Sequence, residues 1–312
     1  MAKLISYVLP VYNESEGIEQ FYAELKKSLA KLKSYKFDLI FINDGSRDDS
    51  LIKLLSIHEQ DSRVKVINFS RNFGHQKAIT AGLDYAVGDA VVIMDTDLQD
   101  PPSVSLELIQ KWEEGFEVVY AKRAKRKDTF FKRVTANWYY RLLSKLSEIE
   151  IPRNTGDFRL LDRKAVNYLN KFREQNRYMR GLVSFLGFKQ TAVEFDRDAR
   201  FAGKTGYSWG KMIRLALDGI AGFSTAPLRM IAWMGFAVAF FSILGILYAL
   251  LVRLLSPETV VSGWTFLIIA IFFIGGVQMI MLGILGIYIG RIYTEVQGRP
   301  LYIVDSVIKS AK

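Results

Sequence analysis

Apolar residues along the first part of the chain come in two alternating patterns. Leu4–Leu9 is a short continuous apolar run of strand type, ending in Pro10-Val11-Tyr12-Asn13-Glu14. After it Ile18, Phe21, Tyr22, Leu25, Leu29 and Leu32 recur at helical spacing. Phe37–Ile42 predicts a second strand, closed by Asn43-Asp44-Gly45-Ser46, and a short helix then runs to about Glu59. Val64–Phe69 predicts a third strand; Arg71-Asn72-Phe73-Gly74 leads from it into a helix over Gln76–Ala86. Val91–Met94 is a fourth, β-branched and bounded by breakers, and it runs straight into Asp95-Thr96-Asp97. A helix to about Gly115 and a fifth strand over Glu117–Ala121 follow. This alternation implies a parallel, doubly wound α/β sheet.

The C-terminal third is patterned differently. Met230–Val252 and Val260–Gly290 contain no charged residue. At roughly 1.5 Å per helical residue, each is long enough to cross a hydrocarbon core about 30 Å thick. Two transmembrane helices are therefore expected, at 228–252 and 260–290, after a soluble domain over 1–205 and an interfacial linker over 206–227. Residues 291–312 form a tail. Lys211, Arg214 and Arg229 precede the first span, and Arg291, Arg299, Lys309 and Lys312 follow the second, while the connecting loop holds only Arg253 and Glu258. The positive-inside rule then puts both ends and the soluble domain in the cytoplasm. The opening MAKLISYVLP lacks the length and cleavage site of a signal peptide.

Composition narrows the chemistry. The chain has 312 residues, no cysteine and two histidines, which excludes thiolate nucleophiles, Cys-based zinc or iron–sulfur sites and a His-rich metal site. A net charge of +10 fits anionic lipid, a phosphorylated substrate or nucleic acid. The basic clusters lie beside membrane-seeking segments, which disfavours nucleic acid. No Gly-x-Gly-x-x-Gly follows a strand and no Walker loop is present, so a dinucleotide dehydrogenase or P-loop NTPase is disfavoured.

Polar turns instead follow three strands at one sheet edge: PVYNE, NDGS and DTDLQ. Open α/β sheets bind ligands at that edge. Asp95 and Asp97 bring hard oxygen donors there, suited to Mg²⁺ or Mn²⁺ shared with substrate phosphates. Alone, an Asp-x-Asp also reads as a solvated acidic turn, and NDGS as a turn before a helix start.

Taken in order, PVYNE (10–14), NDGS (43–46), DTDLQDPP (95–102) and Asp157-Phe158-Arg159-Leu160-Leu161 resemble glycosyltransferase family 2 with its GT-A fold, a Rossmann-like doubly wound catalytic domain. The resemblance covers nearly the whole chain and is closest to the membrane-bound polyprenyl-phosphate glycosyltransferases. It implies that Pro10, Tyr12, Glu14 and Asp44 line the nucleotide pocket, with Lys77 near the base or its phosphates. Asp95 would face the ribose and the metal, and Asp97 with Gln99 would hold the metal against the diphosphate.

The basic run Lys122–Lys127 precedes Val134–Ile149, whose aromatics suit a helix lying in the lipid interface. Trp209–Ile220 is a second such segment. In mannose synthases of the family, arginines resembling Arg123 and Arg133 contact the acceptor phosphate; Asn137 stands where those enzymes have a serine. Asp157 resembles the catalytic carboxylate of inverting members, either as a base or as an orienting group. The Gly- and Lys-containing run 200–209 has the composition of a loop that closes over donor phosphates, with Arg200, and after it Arg197, resembling the arginine that contacts the diphosphate.

These readings converge on inverting transfer of one hexose, taken as glucose from UDP-glucose, to polyprenyl (undecaprenyl) phosphate at the inner face of a bacterial membrane, for modification of cell-surface polysaccharide. A transport pathway would need polar groups at depth, which the spans lack. The Gln-x-x-Arg-Trp signature of processive synthases is absent, since Gln175 is followed by Asn176, Arg177 and Tyr178. Gly286-x-x-x-Gly290 permits close helix contact and is compatible with a homo-oligomer. The competing reading is a catalytically silent membrane scaffold or nucleotide-sugar sensor.

Overall fold

The computed structural model describes residues 2–123, 155–196, 226–255 and 263–309. The elements run β1 (Leu4–Val11), α1 (Ile18–Leu29), β2 (Lys36–Asn43), α2 (Ser50–Gln60), β3 (Val64–Phe69), α3 (His75–Tyr85), β4 (Ala90–Ile93) and α4 (Val104–Glu113). They continue with β5 (Val118–Arg123), β6 (Thr155–Asp162), α5 (Arg163–Leu169), α6 (Met179–Phe185), β7 (Gln190–Phe195), α7 (Ala226–Leu255), α8 (Trp264–Val296) and β8 (Val304–Ile308). The five strands and four helices expected up to β5 are all present. The interfacial segments 134–149 and 209–220 lie outside the described residues.

All eight strands form one sheet in the order β7-β5-β6-β4-β1-β2-β3-β8. Strands β4, β1, β2 and β3 are parallel, as the alternation implies. The sheet as a whole is mixed, because β6 runs antiparallel to β4 and β5, and β8 antiparallel to β3. The alternation that dictates parallel pairing ends at β5, and a strand's own hydrophobic pattern carries no direction.

The sheet is buried on both faces, which explains the continuous apolar runs of its central strands. Ile5, Tyr7, Leu9 and Val11 of β1 pack with Ile18, Phe21, Leu25, Leu54, Leu108 and Trp112 of α1, α2 and α4. Val8 points the other way, into a core with Ile79 of α3, Val166 of α5 and Leu182 of α6. Helix α3 lies tight against β1: a Cβ on Gly82 would fall 2.2 Å from a Val8 methyl.

The apolar C-terminal segments form α7 and α8, of 30 and 33 residues. Phe273–Val296 is long and apolar enough to cross a membrane, and Met230–Gly245 is a shorter apolar stretch. That candidate begins later than the uncharged run suggests and continues past Arg291. Residues 291–312, expected as a tail, contain the end of α8 and then β8, which returns to the sheet edge. Tyr302 stacks on Phe69 (centroids 5.1 Å apart, planes at 13°) and donates to Asp84 at 2.7 Å. Gln175 N–H donates to Glu295 at 2.8 Å. The end of α8 is thereby fastened to the α/β fold.

Tyr302→Phe should keep the stack and lose the phenolic bond, costing about 1 kcal/mol. Tyr302→Ala should cost about 2–3 kcal/mol by also losing half-buried ring area. Thermal denaturation in detergent checks the order; equal losses would mean that the ring contact contributes nothing.

Candidate active site

Three parallel strands deliver their C-terminal turns to one edge, and backbone bonds lock the turns to one another. Asn13 N–H donates to Ser46 Oγ (3.0 Å), Glu14 N–H to Ser50 Oγ (2.9 Å) and Asp44 N–H to the Val11 carbonyl (2.9 Å). The Pro10 carbonyl accepts from Thr96 Oγ1 at 3.1 Å, tying the end of β1 to the Asp95–Asp97 turn. Pro10 is buried, Tyr12 is exposed at its rim, and Lys77 is half-buried in the first turn of α3.

Asp44 is almost fully buried, and its carboxylate is taken up by the turn after β3. Oδ1 accepts from Phe73 N–H (2.7 Å), while Oδ2 accepts from Gly74 N–H (3.0 Å) and the Asn72 amide (3.1 Å). Burial raises its pKa, with those two backbone donors and the nearby charges of His75 and Arg71 acting against the rise. These bonds fix the start of α3. Gly45 next to it has φ +63°, and a Cβ there would lie 2.4 Å from the Arg71 carbonyl carbon. Both facts demand glycine in NDGS.

The turn after β4 is strained. Leu98 has φ +59°, a conformation that a γ-branched residue rarely adopts, and it is held there by packing against the core. This bend lets Asp97 Oδ1 accept Gln99 N–H at 3.1 Å. Asp95, Asp97 and Gln99 are all half-buried at the edge. Among the described residues no three acidic or histidine side chains are grouped to hold an ion by themselves. Two carboxylates and an amide oxygen on one turn are still the hard donor set that Mg²⁺ or Mn²⁺ uses when phosphates and water complete its shell.

Strand β6 enters this edge from the opposite direction. Its register with β4 ends at Ile93↔Arg159, and beyond that pair Asp157 and Asp95 share His75 as a neighbour. Asp157 is buried among donors. Arg180 Nε reaches Oδ1 at 3.1 Å, the Gln76 amide reaches Oδ2 at 3.1 Å, and His75 Nε2 lies 3.3 Å from Oδ2 and 3.5 Å from Asp95 Oδ1. Gln76 also accepts Met179 N–H at 3.0 Å, docking α6 onto α3. Beneath them Arg159 donates to the Gly156 carbonyl at 2.8 Å. Burial alone would raise the pKa of Asp157, but the charges of Arg180, His75 and Arg159 and the bond from His75 hold it far below the carboxylate range. Burial opposes charging of His75 as well; the bond to Asp157 and the charges of Asp95 and Asp157 outweigh it and raise its pKa to about 9. Arg159 is lowered by burial to about 10, against the pull of Asp157. Asp157 is therefore held as a carboxylate among cationic neighbours.

Arg123, at the end of β5, lies against Gly156, where a Cβ would meet its Nη2 at 3.3 Å. A small cleft lined by Tyr120, Thr155, Arg159, Arg180 and Ser184 opens beside it. The structure thus brings Pro10, Glu14, Asp44, Asp95, Asp97, Gln99, Asp157 and Arg123 to one end of the sheet. Arg133, Asn137, Arg197 and Arg200 lie outside the described residues. Sequence reasoning missed His75, Gln76 and Arg180 as members of the site. For the first two a signal existed: they directly follow a fourth polar turn at the same strand edge.

Replacing Asp44 should loosen α3. Asp44→Ala leaves two buried N–H groups without an acceptor and should cost about 2–4 kcal/mol, whereas Asp44→Asn still accepts one and should cost roughly half. Equal melting temperatures for the two variants would contradict the arrangement.

The sequence profile of Glycosyl transferase family 2 matches residues 6–169. The uncharacterized glycosyltransferase YkcC of Bacillus subtilis is 50% identical over 98% of this chain and 95% of its own. The prophage bactoprenol glucosyl transferase homolog of Escherichia coli is 43% identical over 98% of this chain and 99% of its own. The bactoprenol glucosyl transferase of Shigella phage SfII is 44% identical over 96% and 97%. Among solved structures, glucosyl-3-phosphoglycerate synthase of Mycobacterium tuberculosis, in complex with Mn²⁺, UDP and phosphoglyceric acid, aligns over 70% of this chain and 76% of its own. Its sequence identity is 19% and its TM-score 0.46.

Proposed function

Because this chain belongs to glycosyl transferase family 2 and is a glycosyltransferase, we propose that it transfers one hexose, glucose from UDP-glucose, to the phosphate of a polyprenyl lipid. The observation that carries this reading is the extent of the likeness to the bactoprenol glucosyl transferases. It spans 96% or more of the chain, so it includes α7, α8 and β8 as well as the sheet that the family shares. Exposed large apolar side chains crowd both long helices, among them Phe236, Phe240, Phe241, Ile271, Phe273 and Ile289. Such a surface suits lipid contact. In this reading α7 and α8 are two spans joined by a short connection, so the start of α7 and the end of α8 both lie on the side of the catalytic domain, at the cytoplasmic face. That side is where β8 holds the end of α8.

In this reading Pro10, Tyr12, Glu14, Asp44 and Lys77 serve the nucleotide, and Arg197 and Arg200 are the donor-phosphate contacts that the family resemblance implies. Asp95, Asp97 and Gln99 would hold Mg²⁺ or Mn²⁺, which when bound offsets charge on the diphosphate. Arg123 is assigned to the acceptor phosphate, with Arg133 and Asn137 as the further acceptor contacts that the family resemblance implies. Asp157 acts as a positioning carboxylate. An efficient base has a pKa near the working pH, whereas Asp157 is held far below it and its oxygens already face Arg180, Gln76 and His75. No base is required, since a phosphate monoester with a second pKa near 6 is itself the nucleophile. Its oxygen attacks the anomeric carbon, the bond to the diphosphate breaks with its electron pair, and the configuration inverts.

Transfer of radiolabelled sugar from UDP- and GDP-sugars to undecaprenyl phosphate, in detergent with and without Mg²⁺ or Mn²⁺, tests this directly. An organic-extractable, metal-dependent product from UDP-glucose is expected. Absence of product from every donor would favour a silent scaffold. Asp97→Ala should lower turnover by about 10²–10³-fold, and near-normal turnover by that variant would remove the metal assignment. For the wild type, kcat/KM should rise with pH through about 6 as the acceptor becomes a dianion. Asp157→Asn should be slower yet keep that limb. Loss of the limb in the variant would restore Asp157 as the base.

A further inference from the structure

Positive charge and aromatic side chains are concentrated in one stretch of the α/β fold. Residues 163–189, which form α5, α6 and the loop between them, hold seven Lys or Arg against one acidic residue, Glu174, in a chain of net charge +10. The inner side of these helices is ordinary: Val166, Leu169, Leu182 and Val183 are core. The outer side is not. Phe185 is 60% exposed and Tyr168 is 48% exposed. Phe185 meets Phe172 with ring centroids 5.8 Å apart, and Tyr168 meets Phe188 at the same distance. Lysines flank both pairs, with Lys171 4.8 Å over the Tyr168 ring and Lys164 4.8 Å over the Phe188 ring. On the other face of the sheet, α1, α2 and α4 show one large exposed apolar side chain among the described residues, Ile52.

Position and chemistry identify what this face meets. The loop between α5 and α6 is fastened to the last turn of α8: Gln175 N–H donates to Glu295 at 2.8 Å, and the Gln175 side-chain amide donates to the Arg299 carbonyl. Glu295 belongs to the stretch Phe273–Val296, which is long and apolar enough to cross a membrane. The face therefore lies beside the point where the chain leaves the bilayer, a step that rests on the reading of α8 as a span. Aromatic rings settle at the headgroup level, lysines lay their stems on apolar surface while the amines reach lipid phosphates, and basic clusters are drawn to anionic lipid. The nearest carboxylates are already engaged, Asp84 by Arg173 and Tyr302 and Glu117 by Lys164, so the face keeps its positive balance.

We propose that the outer face of α5 and α6 seats the catalytic domain on an anionic lipid surface, with Phe185 and Tyr168 entering the headgroup layer and Lys164, Lys171 and Lys189 facing lipid phosphates. Helix α6 carries the consequence to the site. It spans only seven residues, and its Arg180 binds Asp157 while Phe185 ends the same helix. The element that rests on lipid thus also holds a carboxylate of the site, which sets the height of that site above the layer supplying a lipid-borne acceptor.

The chain has no cysteine, so a single introduced one reports from a chosen place. Full-length Phe185→Cys, Ile52→Cys and Phe273→Cys proteins, each labelled with a fluorophore, are reconstituted into vesicles of equal phosphatidylcholine and phosphatidylglycerol. Quenching by lipids bearing a nitroxide on the headgroup or the acyl chain is then measured. The label at 185 should be quenched by the headgroup nitroxide, the label at 273 by the acyl-chain nitroxide, and the label at 52 by neither. Quenching at 185 should fall when Lys164, Lys171 and Lys189 are all replaced by Gln, and when salt is raised. Equal, low quenching at 185 and 52 with strong quenching at 273 would overturn the proposal and leave the span reading intact. Loss of quenching at 273 alone would remove the span reading and support the seat, whereas loss at both 273 and 185 would overturn both. Self-quenching between labels at 185 without lipid quenching would overturn it in favour of a second copy. Quenching at 185 that ignores both salt and the three lysines would overturn it as well, because such a contact does not need anionic lipid.

Discussion

The antiparallel pairing of β6 with β4 is the constraint on which the site depends. Parallel strands alone would bring only their own C-terminal turns to the ligand edge. One reversed strand in the middle of the sheet adds its N-terminal residues, and with them Asp157, which shares His75 as a neighbour with Asp95. That placement brings two carboxylates close together at the ligand edge. The rest of the local architecture answers the resulting charge problem. Arg180 comes from α6, His75 and Gln76 from α3, Arg159 from β6 itself and Arg123 from β5, each anchored by backbone or core contacts.

A second theme is how much of this edge is occupied with holding itself together. The Asp44 carboxylate accepts from Phe73, Gly74 and Asn72. Thr96, Ser46 and Ser50 likewise lock one turn to the next. A binding surface made of loops must be rigid to act on charge, because electrostatic stabilisation counts only when dipoles and ions are already in place. The strained Leu98 fits the same logic: the core restrains an unfavourable backbone so that Asp97 and Gln99 share one turn.

The C-terminal region extends that rigidity toward the lipid. The end of α8 and β8 are joined to the soluble domain through Tyr302, Glu295 and the β3 ladder. In an enzyme whose acceptor is anchored in a membrane, the height and tilt of the active site over the lipid govern whether the two substrates meet. A strand that returns from the last long helix to the edge of the catalytic sheet is a short mechanical route to fixing both.

The sequence by itself determined the strand–helix alternation up to β5, the burial of the central sheet on both faces, the two long apolar segments and the acidic turn at 95–99. These are periodicities and compositions, and solvent imposes them on any fold the chain adopts. The four motifs in order also identified the family. The sequence did not disclose that β6 and β8 run backwards, that residues 304–308 belong to the sheet, or that Asp44 faces inward. Nor did it single out His75, an ordinary residue at the start of a helix. Strand direction and cross-strand partners are set by contacts between segments distant in sequence, here Ile93 with Arg159 and Phe69 with Tyr302. Only the folded chain decides which charges must be balanced and which side chain stands between them.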